Sequence, residues 1–431
     1  MSEEKFDAIV VGGGLAGLTA AYCLAQAEME VLLIERGDFC GSKNVTGGRI
    51  YTHSMEKLMP GFAKEAPLER KITKERIALM TETGALNIEY ASGKDDDDST
   101  ASYSVLRSKF DKWFAEKAEE AGVMMVPGIR VDECLIEDGK VVGINAGGEE
   151  MYADVVILAD GVNSLLSQQL GLKKELEPHQ VAVGCKEVIQ LDEEVINQRF
   201  NVKNGEGTAV LVAGDPTLGN IGGGFLYTNK DSISIGIVAT CSDIGRVDVS
   251  IPDMLERFKN HPSVEPLITG GVPLEYSAHL VPEGGFNMIP EKLYADGVLI
   301  CGDAAAFVVN LGYAVRGMDF AVESGRLAAE AVIKAKEAGD FSARTLSLYQ
   351  QLVEDSFIYT DMKQYRNFPK LLERHEIFND VPEIADMIMD KLFRVDGRKP
   401  VSLPMFAVDE IAKRTTAQKL LDLVMVALDA L

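Results

Sequence analysis

Three glycines and one acid near the N-terminus have the types and the spacing to hold a phosphate-containing ligand. Gly12, Gly14 and Gly17 follow the apolar run FDAIVV, and Glu35 ends a second apolar run, VLLIE, 21 residues after Gly14. Glycine permits a tight turn at the first position, backbone approach to a pyrophosphate at the second, and close helix–strand packing at the third. A following helix N-terminus favours negative charge, and the acid can accept hydrogen bonds from a ribose. The pattern predicts dinucleotide binding rather than an ordinary Gly-rich turn of a βαβ unit.

Two later segments indicate which dinucleotide is bound. VVILADGVNS (155–164) ends an apolar run in Asp160 and Gly161, and GVLICGDAA (297–305) ends one in Gly302 and Asp303. Each alone is a strand that runs into a turn. In this order they resemble the second and third fingerprints of FAD-binding proteins of the glutathione-reductase type. The resemblance implies that the third segment places its Asp on the ribityl chain, with a helix N-terminus facing the flavin.

A second nucleotide domain for NAD(P)H is not expected. Gly222, Gly223 and Gly224 precede FLYT and open no evident helix. This glycine run is therefore predicted to start a strand.

Composition limits the class of protein. The 431 residues are 46% hydrophobic and 26% charged, as in a globular chain of two or three domains. The balance of 43 basic and 67 acidic residues, a net charge of −24, argues against nucleic-acid binding and against simple electrostatic adhesion to anionic lipid. No apolar run approaches the roughly 20 residues of a membrane span.

The cysteines argue against a metal site. Six are scattered, at positions 23, 40, 134, 185, 241 and 301. They have neither CxxC spacing nor that of an iron–sulfur cluster, so no metal ligands are predicted. Such usage is typical of a reducing cytosol. The first apolar strand begins within about six residues of the N-terminus, so no secretory signal is expected.

The periodicity along the chain predicts three regions. Residues 106–122 have Phe110, Phe114 and Ala118 at helical spacing, whereas residues 180–290 are rich in strands and turn signals. The predicted ranges are 1–70, 104–175 and 291–340 for a discontinuous FAD-binding domain, 71–103 and 176–290 for a β-rich quinone or substrate domain, and 341–431 for a helical C-terminal region.

Longer segments resemble one family. They are KNVTGGRIY (43–51), YSVLRSKFDKW (103–113), GGGFLYTN (222–229), EYSAHLVPEGG (275–285) and CGDAAAFVVNLGYAVRGMDFAVESG (301–325). Over about residues 5–340 the chain resembles the FixC branch of electron-transfer flavoprotein:quinone oxidoreductases. It is more distantly similar to archaeal geranylgeranyl reductases, which share the fold.

The resemblance implies a fold and a reaction. The fold is α/β: a glutathione-reductase-type FAD-binding domain of the p-hydroxybenzoate-hydroxylase-like class, an antiparallel β-sheet substrate domain and a helical C-terminal region. FAD is the implied cofactor. Electrons are expected to arrive from a two-subunit electron-transfer flavoprotein and to pass to a membrane quinone. The implied location is cytoplasmic, peripheral at the inner face of the cell membrane.

One departure from the family changes the expected partners. Mitochondrial-type members carry a 4Fe–4S cluster in a C-terminal ferredoxin-like domain, and this chain lacks the necessary cysteines. In the FixC branch the cluster resides in a separate small ferredoxin-like protein, which is therefore an expected partner. Some such complexes bifurcate NADH electrons between a quinone and a low-potential acceptor. The sequence of this subunit leaves bifurcation open.

The fingerprints and the resemblance assign the cofactor site. The LRSKFD match implies that Arg107 contacts the dinucleotide; the alternative is that it is only a cation on the helix surface. The glycines of 47–48 permit backbone approach to the ring, and Arg316 is a candidate to stabilise a reduced, anionic flavin. The predicted cofactor-binding residues are Gly12, Gly14, Leu15, Ala16, Gly17, Glu35, Arg36, Lys43, Asn44, Thr46, Gly47, Gly48, Arg107, Arg130, Val131, Ala159, Asp160, Gly161, Gly302, Asp303, Asn310, Gly312, Arg316, Gly317 and Met318.

The substrate side is predicted on the sheet. Phe225, Tyr227, Tyr276 and His279 are candidates to form the quinone wall opposite the flavin, with Arg316 nearby; the alternative is that the four fill the sheet's core. Tyr and His can hydrogen-bond a quinone oxygen, and Phe supplies apolar contact. His53 and His279 are either ordinary core or surface imidazoles or proton donors to the quinone.

Two other functions stay open at this point. One is a geranylgeranyl-reductase-like prenyl-lipid reductase, and the other is a non-catalytic subunit whose flavin only relays electrons. The last segment, TAQKLLDLVMVALDAL (416–431), has apolar residues at helical spacing. Its packing on the protein's own core or on a partner is favoured over a membrane-surface helix, because its polar face has few basic residues.

Overall fold

The computed structural model describes residues 5–43, 48–93, 97, 99–397, 402–414 and 416–430. Of the predicted site residues, Asn44, Thr46 and Gly47 lie outside these ranges. The strands are β1 (Lys5–Val11), β2 (Val31–Glu35), β3 (Gly48–Tyr51), β4 (Leu68–Met80), β5 (Ala85–Ala91), β6 (Ser102–Val105), β7 (Met124–Pro127), β8 (Val131–Glu137), β9 (Lys140–Ala146), β10 (Glu149–Leu158), β11 (Val181–Gln190), β12 (Glu206–Gly214), β13 (Gly222–Thr228), β14 (Ser232–Thr240), β15 (Val272–Pro282), β16 (Tyr294–Ala295), β17 (Val298–Ile300), β18 (Val309–Asn310) and β19 (Val315–Arg316).

The helices alternate with strands in the first two thirds of the chain and then follow one another. They are α1 (Leu15–Gln26), α2 (His53–Leu58), α3 (Arg107–Glu120), α4 (Leu165–Gln169), α5 (Glu193–Phe200), α6 (Ile251–Lys259), α7 (Glu265–Ile268), α8 (Met318–Ala338), α9 (Ala343–Glu354), α10 (Phe357–Gln364), α11 (Phe368–Leu372), α12 (His375–Phe378), α13 (Asp380–Phe393), α14 (Leu403–Arg414) and α15 (Ala417–Ala430). Within the described ranges, no helix combines the length and the apolar composition that crossing a bilayer requires.

The first sheet holds the dinucleotide motifs. Five parallel strands lie in the order β17, β10, β1, β2, β7, and β16, β9 and β8 add antiparallel pairs. Their apolar runs are buried, as is usual for parallel strands, and α1 packs against β1, β2 and β10. The motif strands β1, β2, β10 and β17 all end at one edge, so their carboxyl ends converge where open α/β sheets bind ligands.

Two helices cross closely against this sheet. α1 is rich in Ala and Leu, which favour helix, and it packs against α8. A Cβ on Gly325 of α8 would overlap the backbone carbonyl oxygen of Ala16 in α1, so glycine is required at this crossing. α8 ends at Gly339, whose φ of 64° is in the left-handed region that glycine adopts readily.

The second sheet has nine strands and two different faces. Its order is β15, β11, β14, β13, β12, β4, β6, β3, with β5 beside β4; β12 and β4 are parallel, and the other pairs are antiparallel. One face packs on α6 through buried side chains such as Ile235, Ile237 and Phe258. The other face lines a cavity. β3 belongs to this sheet, although its residues fall in the range 1–70 predicted for the FAD-binding domain.

The predicted fold class is confirmed: a mainly parallel sheet with helices, a second, mostly antiparallel sheet and a helical C-terminal region. Among the described residues after Phe341, every regular element is a helix. α11 and α12 lie over the cavity between the two sheets. The domain boundaries themselves stay a prediction.

Candidate active site

One cavity of about 1000 Å³ runs from the carboxyl ends of β1, β2 and β10 to the space under α11 and α12. Its walls are the edge of the first sheet, one face of the second sheet, and the C-terminal helices. The volume is at the upper end of the usual range for ligand pockets. The cavity therefore has room for a large ligand and joins elements that are far apart in the sequence.

The glycine turn between β1 and α1 forms one end of the cavity. Gly12 has a φ of 106°, and a Cβ there would overlap the carbonyl oxygen of Ala159; a Cβ on Gly17 would overlap the carbonyl oxygen of Gly12. A Cβ on Gly14 would meet no protein atom within 4 Å, and Gly14 lines the cavity. Two glycines thus permit close backbone packing, and the third leaves open space before the N-terminus of α1.

The carboxylate of Glu35 is fixed at the end of β2. Its Oε2 accepts a hydrogen bond from the backbone N–H of Gly13 (2.7 Å), and its Oε1 accepts one from Gly37 (2.6 Å). Each carboxylate oxygen can accept more than one hydrogen bond, and Glu35 lines the cavity. The arrangement suits an acid that binds ribose hydroxyl groups beside the glycine turn.

Positive and negative groups meet in the middle of the cavity. Arg107 at the start of α3 and Asp303 after β17 both line it. Burial raises the pKa of Asp303, and the positive charges of Arg107 and Lys173 oppose that rise. Burial lowers the pKa of Arg107, but the carboxylate of Asp111 outweighs burial and raises it. Arg107 therefore keeps its positive charge beside the cavity.

Sequence reasoning missed Lys173, which lies behind Asp160 and Asp303. Its Nζ donates to the carbonyl oxygens of Val162 (2.9 Å) and Ala304 (3.1 Å), and the side chain is buried. Burial lowers the pKa of Lys173, while the two carboxylates raise it. This lysine links the turns that follow β10 and β17, the two turns of the later fingerprints.

The second sheet presents alternate residues to the cavity. Phe225, Tyr227 and His279 line it, as does Lys186, which the sequence analysis did not include. Lys186 and Phe225 both pair with Gly236, where a Cβ would overlap the Phe225 ring, so glycine makes room for that ring. The Lys186 Nζ lies 5.7 Å from the ring centroid of Phe225.

Burial and neighbouring positive charges lower the pKa of two basic groups on this face of the sheet, Lys186 and His279. Burial, together with a smaller effect of the positive charge of Arg107, lowers the pKa of Lys186 to about 8. Partial removal from water lowers the pKa of His279, and the charges of Lys186, Arg107 and Arg36 act in the same direction. His279 is therefore mainly neutral at neutral pH.

The structure corrects the prediction for Tyr276. Tyr276 does not line the cavity. Its Oη accepts a hydrogen bond from the Cys185 thiol (3.1 Å), on the face of the sheet that packs on α6. Side chains alternate along a strand, and the separation of Tyr276 and His279 is odd, so the two point to opposite faces.

The structure also places Arg316 outside the cavity lining, contrary to the prediction. Its guanidinium donates to Asp319 (2.9 and 2.6 Å) and to Asp361 (2.5 Å). Asp319 is also 3.0 Å from Nε2 of His53. Because two carboxylates hold Arg316 and the same acid holds His53, neither side chain is directed at the cavity.

The remaining predicted residues largely surround the cavity. Gly302 is buried under it, where a Cβ would lie 2.7 Å from the Cβ of Ala16. The other predicted residues that line it are Leu15, Ala16, Arg36, Lys43, Gly48, Arg130, Val131, Ala159, Asp160, Gly161, Asn310, Gly312, Gly317 and Met318. Their contacts with a cofactor stay a prediction.

The far end of the cavity is apolar, and the sequence did not reveal it. This apolar lobe is lined by Leu311, Tyr313, Phe368, Leu371, Leu372, Ile377 and Phe378. Gly312, between β18 and β19, approaches α11: a Cβ there would lie 3.6 Å from Cδ2 of Leu372. The lobe exists because the hairpin and the helices α11 and α12 come together over the sheet.

Comparison with known proteins places the chain in a family. The family model described as FAD dependent oxidoreductase matches residues 7–111. The chain is 51% identical over 398 residues to the probable electron transfer flavoprotein-quinone oxidoreductase YdiS of Escherichia coli, covering 92% of each, and 52% identical over 403 residues to protein FixC of Salmonella typhi, covering 94% of each. The chain belongs to the FixC branch of the electron-transfer flavoprotein:quinone oxidoreductases.

A solved structure supports the fold of this FixC-branch protein. A geranylgeranyl bacteriochlorophyll reductase-like protein of Thermoplasma acidophilum superposes with a TM-score of 0.72, over 98% of this chain and 100% of that chain. The two are 22% identical, so the likeness concerns the fold alone.

This FixC-branch protein is an FAD-dependent oxidoreductase of electron transfer. The cavity fits FAD: Gly14 leaves space for phosphate, Glu35 offers a fixed carboxylate to the ribose, and Asp303 follows β17 at the flavin end. When bound, FAD supplies the two-electron and one-electron chemistry, and the protein binds and orients it. Arg107, held by Asp111, supplies a fixed positive charge, while the second sheet and α11 form the far walls of the cavity.

Proposed function

We propose that this FixC-branch flavoprotein passes electrons from a two-subunit electron-transfer flavoprotein, through a separate ferredoxin-like 4Fe–4S protein, to a membrane quinone. The observation that carries the proposal is the continuity of one cavity, from Gly14 and Glu35 at one end to Leu372 and Phe378 at the other. A dinucleotide at the first end leaves the apolar lobe for a second, lipophilic substrate.

The chemistry of the lobe suits a quinone. A quinone has a polar head group that must come near the flavin and an isoprenoid tail that avoids water. Ligand pockets of this kind combine apolar walls with a few polar groups that fix orientation. Tyr227, His279 and Lys186 are such polar groups on the sheet, and Phe225 lies between them.

The iron–sulfur carrier is proposed to be a separate chain. The six cysteines are all free and are spread over distant elements, from Cys23 in α1 to Cys301 after β17. Among the described residues, no group of three or more His, Cys, Asp or Glu is placed to hold a metal ion. These observations support a cluster supplied by a partner, as the family resemblance implies.

The decisive experiment uses the complete complex. The chain is co-purified with its partners, the electron-transfer flavoprotein is reduced, and quinol formation is followed with a soluble quinone analogue. We expect quinol only when both partners are present. Reduction of the flavin without reduction of any quinone analogue would contradict the proposal and would favour the second alternative, a subunit whose flavin only relays electrons.

Bifurcation is a further part of the proposal. In a complex of this composition, NADH electrons can be divided between a quinone and a low-potential ferredoxin or flavodoxin. We expect NADH to reduce such an acceptor only while quinone is also being reduced. Reduction of the low-potential acceptor at the same rate without quinone would contradict coupling.

A prenyl-lipid reductase is the second candidate, because the apolar lobe also suits an isoprenoid chain with isolated double bonds. The two functions differ in what is consumed. Loss of alkene from a prenyl lipid, measured by mass, identifies the reductase, whereas quinol formation without alkene loss identifies the quinone oxidoreductase.

We further propose a peripheral location at the inner face of the cell membrane. The C-terminal helices expose apolar side chains, including Phe393, Leu421, Met425 and Leu428. Residues 391–431, which include α15, contain seven basic and five acidic residues, although the whole chain has a net charge of −24. An exposed apolar surface beside a local basic segment suits an anionic bilayer, and vesicle flotation tests it.

A further inference from the structure

The carboxyl group of Glu283 lies between the dinucleotide end of the cavity and the apolar lobe. Glu283 lines the cavity directly after β15, and its backbone N–H donates to the carbonyl oxygen of Gln180 (2.7 Å). The Asn310 Nδ2 donates to Oε2 of Glu283 (3.1 Å), and the Asn310 Oδ1 accepts from the backbone N–H of Gly312 (2.9 Å). The backbone of Glu283 is thus held at the end of β15, and its carboxyl group is held by Asn310 of the β18–β19 hairpin.

The surroundings of Glu283 provide no compensating positive charge. Among the described residues, no Lys, Arg or His forms an ion pair with it, and the helices α11 and α12 face the cavity with apolar side chains such as Leu372 and Phe378. The titratable groups that line the same cavity are, from the second sheet, Arg49, Lys186, Tyr227 and His279; from the hairpin, Tyr313; and from α3, the first sheet and the loops that follow its strands, Glu35, Arg36, Lys43, Arg107, Arg130, Asp132, Asp160, Cys301 and Asp303.

This environment keeps Glu283 able to gain and lose a proton near neutrality. Burial raises the pKa of Glu283 to about 7, and the hydrogen bond from Asn310 opposes the rise. An acid group that works in proton transfer is most effective when its pKa lies near the working pH. The charged groups of the cavity do not contribute to this shift.

We propose, on the basis of the quinone-reducing function proposed above, that Glu283 donates a proton to the bound quinone and that Asn310 positions its carboxyl group. Conversion of a quinone to a quinol forms two O–H bonds and takes up two electrons and two protons. A hydride equivalent from the reduced cofactor accounts for both electrons and one proton. Glu283 gives the second proton to the quinone oxygen that accumulates negative charge, and its carboxylate regains a proton from water.

The test replaces Glu283 by Gln, which keeps the shape and the hydrogen bond with Asn310 but removes the acidic proton. Glu275→Gln is the matched control, because Glu275 lies on the same strand and is exposed outside the cavity. In the full complex we expect Glu283→Gln to lower quinol formation at least about 100-fold, with parental flavin content and parental flavin reduction. Glu275→Gln is expected to match the parent.

A second measurement does not depend on turnover. Infrared spectra of the holoprotein should show a protonated carboxyl band that titrates near pH 7 in the parent and in Glu275→Gln but is missing from Glu283→Gln. Asn310→Ala removes a hydrogen bond that favours the charged form, so it should raise the pKa of Glu283. Quinol formation should then persist to higher pH than in the parent.

The outcomes separate this inference from the function on which it rests. If the parental complex reduces its flavin but no quinone, the proposed function fails, whatever the infrared titration shows. If the parent forms quinol and Glu283→Gln does so at the same rate and with the same pH profile, Glu283 is not the proton donor. A pH profile of Asn310→Ala equal to that of the parent would contradict the positioning role.

Discussion

Arg107 and Asp111, one turn apart in α3, form an ion pair with two hydrogen bonds: Nε to Oδ1 and Nη2 to Oδ2, each 2.7 Å. The Asp111 carboxylate is fully buried, whereas Arg107 lines the cavity. Bidentate pairs of this kind fix orientation as well as charge. Asp111 therefore holds a cavity cation in place without lining the cavity itself.

Removing that carboxylate should affect both stability and cofactor binding. Loss of one partner from a buried ion pair costs about 3 kcal/mol or more, so Asp111→Asn should lower the free energy of unfolding by roughly that amount. It should also weaken FAD retention, because Arg107 loses its fixed position. Urea unfolding and flavin content are measured beside Glu116→Gln, an exposed acid of the same helix. Equal unfolding curves for the two variants would contradict the role of Asp111.

The glycine turn gives a second prediction, in which a substitution abolishes FAD binding but does not prevent folding. Gly14→Val should abolish FAD binding, because the new side chain would occupy the open space before α1 while meeting no protein atom within 4 Å at Cβ. The apoprotein should still fold. Gly245→Val is the control, since Gly245 is exposed and its Cβ would also meet nothing. Flavin absorbance measures the result, and full flavin content in Gly14→Val would show that the phosphate site lies elsewhere.

Much of the fold could be predicted from local patterns in the sequence. The motif FDAIVVGGGLAG corresponds to β1 and the start of α1, and the predicted helix at 106–122 is α3, with Phe110, Phe114 and Ala118 buried. The glycine run at Gly222 does start a strand, β13. These features depend on neighbours within a few residues, where periodicity and turn chemistry act.

The parts that sequence could not predict depend on distant contacts. Lys173 bonds to Ala304, 131 residues away, and nothing distinguishes it in sequence from its neighbour Lys174. Asn310 reaches Glu283 only because the β18–β19 hairpin meets the end of β15 in the second sheet. The face of the sheet to which Tyr276 points depends on the register of β15, and the sequence alone does not fix that register.

The corrected position of Tyr276 sharpens the test of the quinone wall. Phe225→Ala and His279→Ala should slow electron transfer to quinone while FAD content and partner binding persist, because both side chains line the cavity. Tyr276→Phe should leave the rate unchanged, since its hydroxyl meets Cys185 on the opposite face. If Phe225→Ala and His279→Ala both keep the parental rate, the quinone contacts another part of the cavity, such as the lobe under α11.

Iron analysis tests the proposed division of cofactors among subunits. The isolated chain should contain flavin and essentially no iron, because its six cysteines are free and dispersed. The complex with the ferredoxin-like partner should contain iron. Stoichiometric iron in the isolated chain would defeat the assignment of the cluster to a separate protein.

The C-terminal surface provides the last prediction. α15 packs on α11 yet leaves Leu421, Met425 and Leu428 exposed, so packing on the protein's own core does not cover this face. Leu421→Asp combined with Leu428→Asp should abolish flotation with vesicles that contain anionic lipid, because two charges would replace the inserted apolar groups. Ile88→Asp, at an equally exposed apolar position on β5, is the control and should float like the parent. If the parent floats only when its partner subunits are added, the surface is a protein interface and direct contact with the bilayer is wrong.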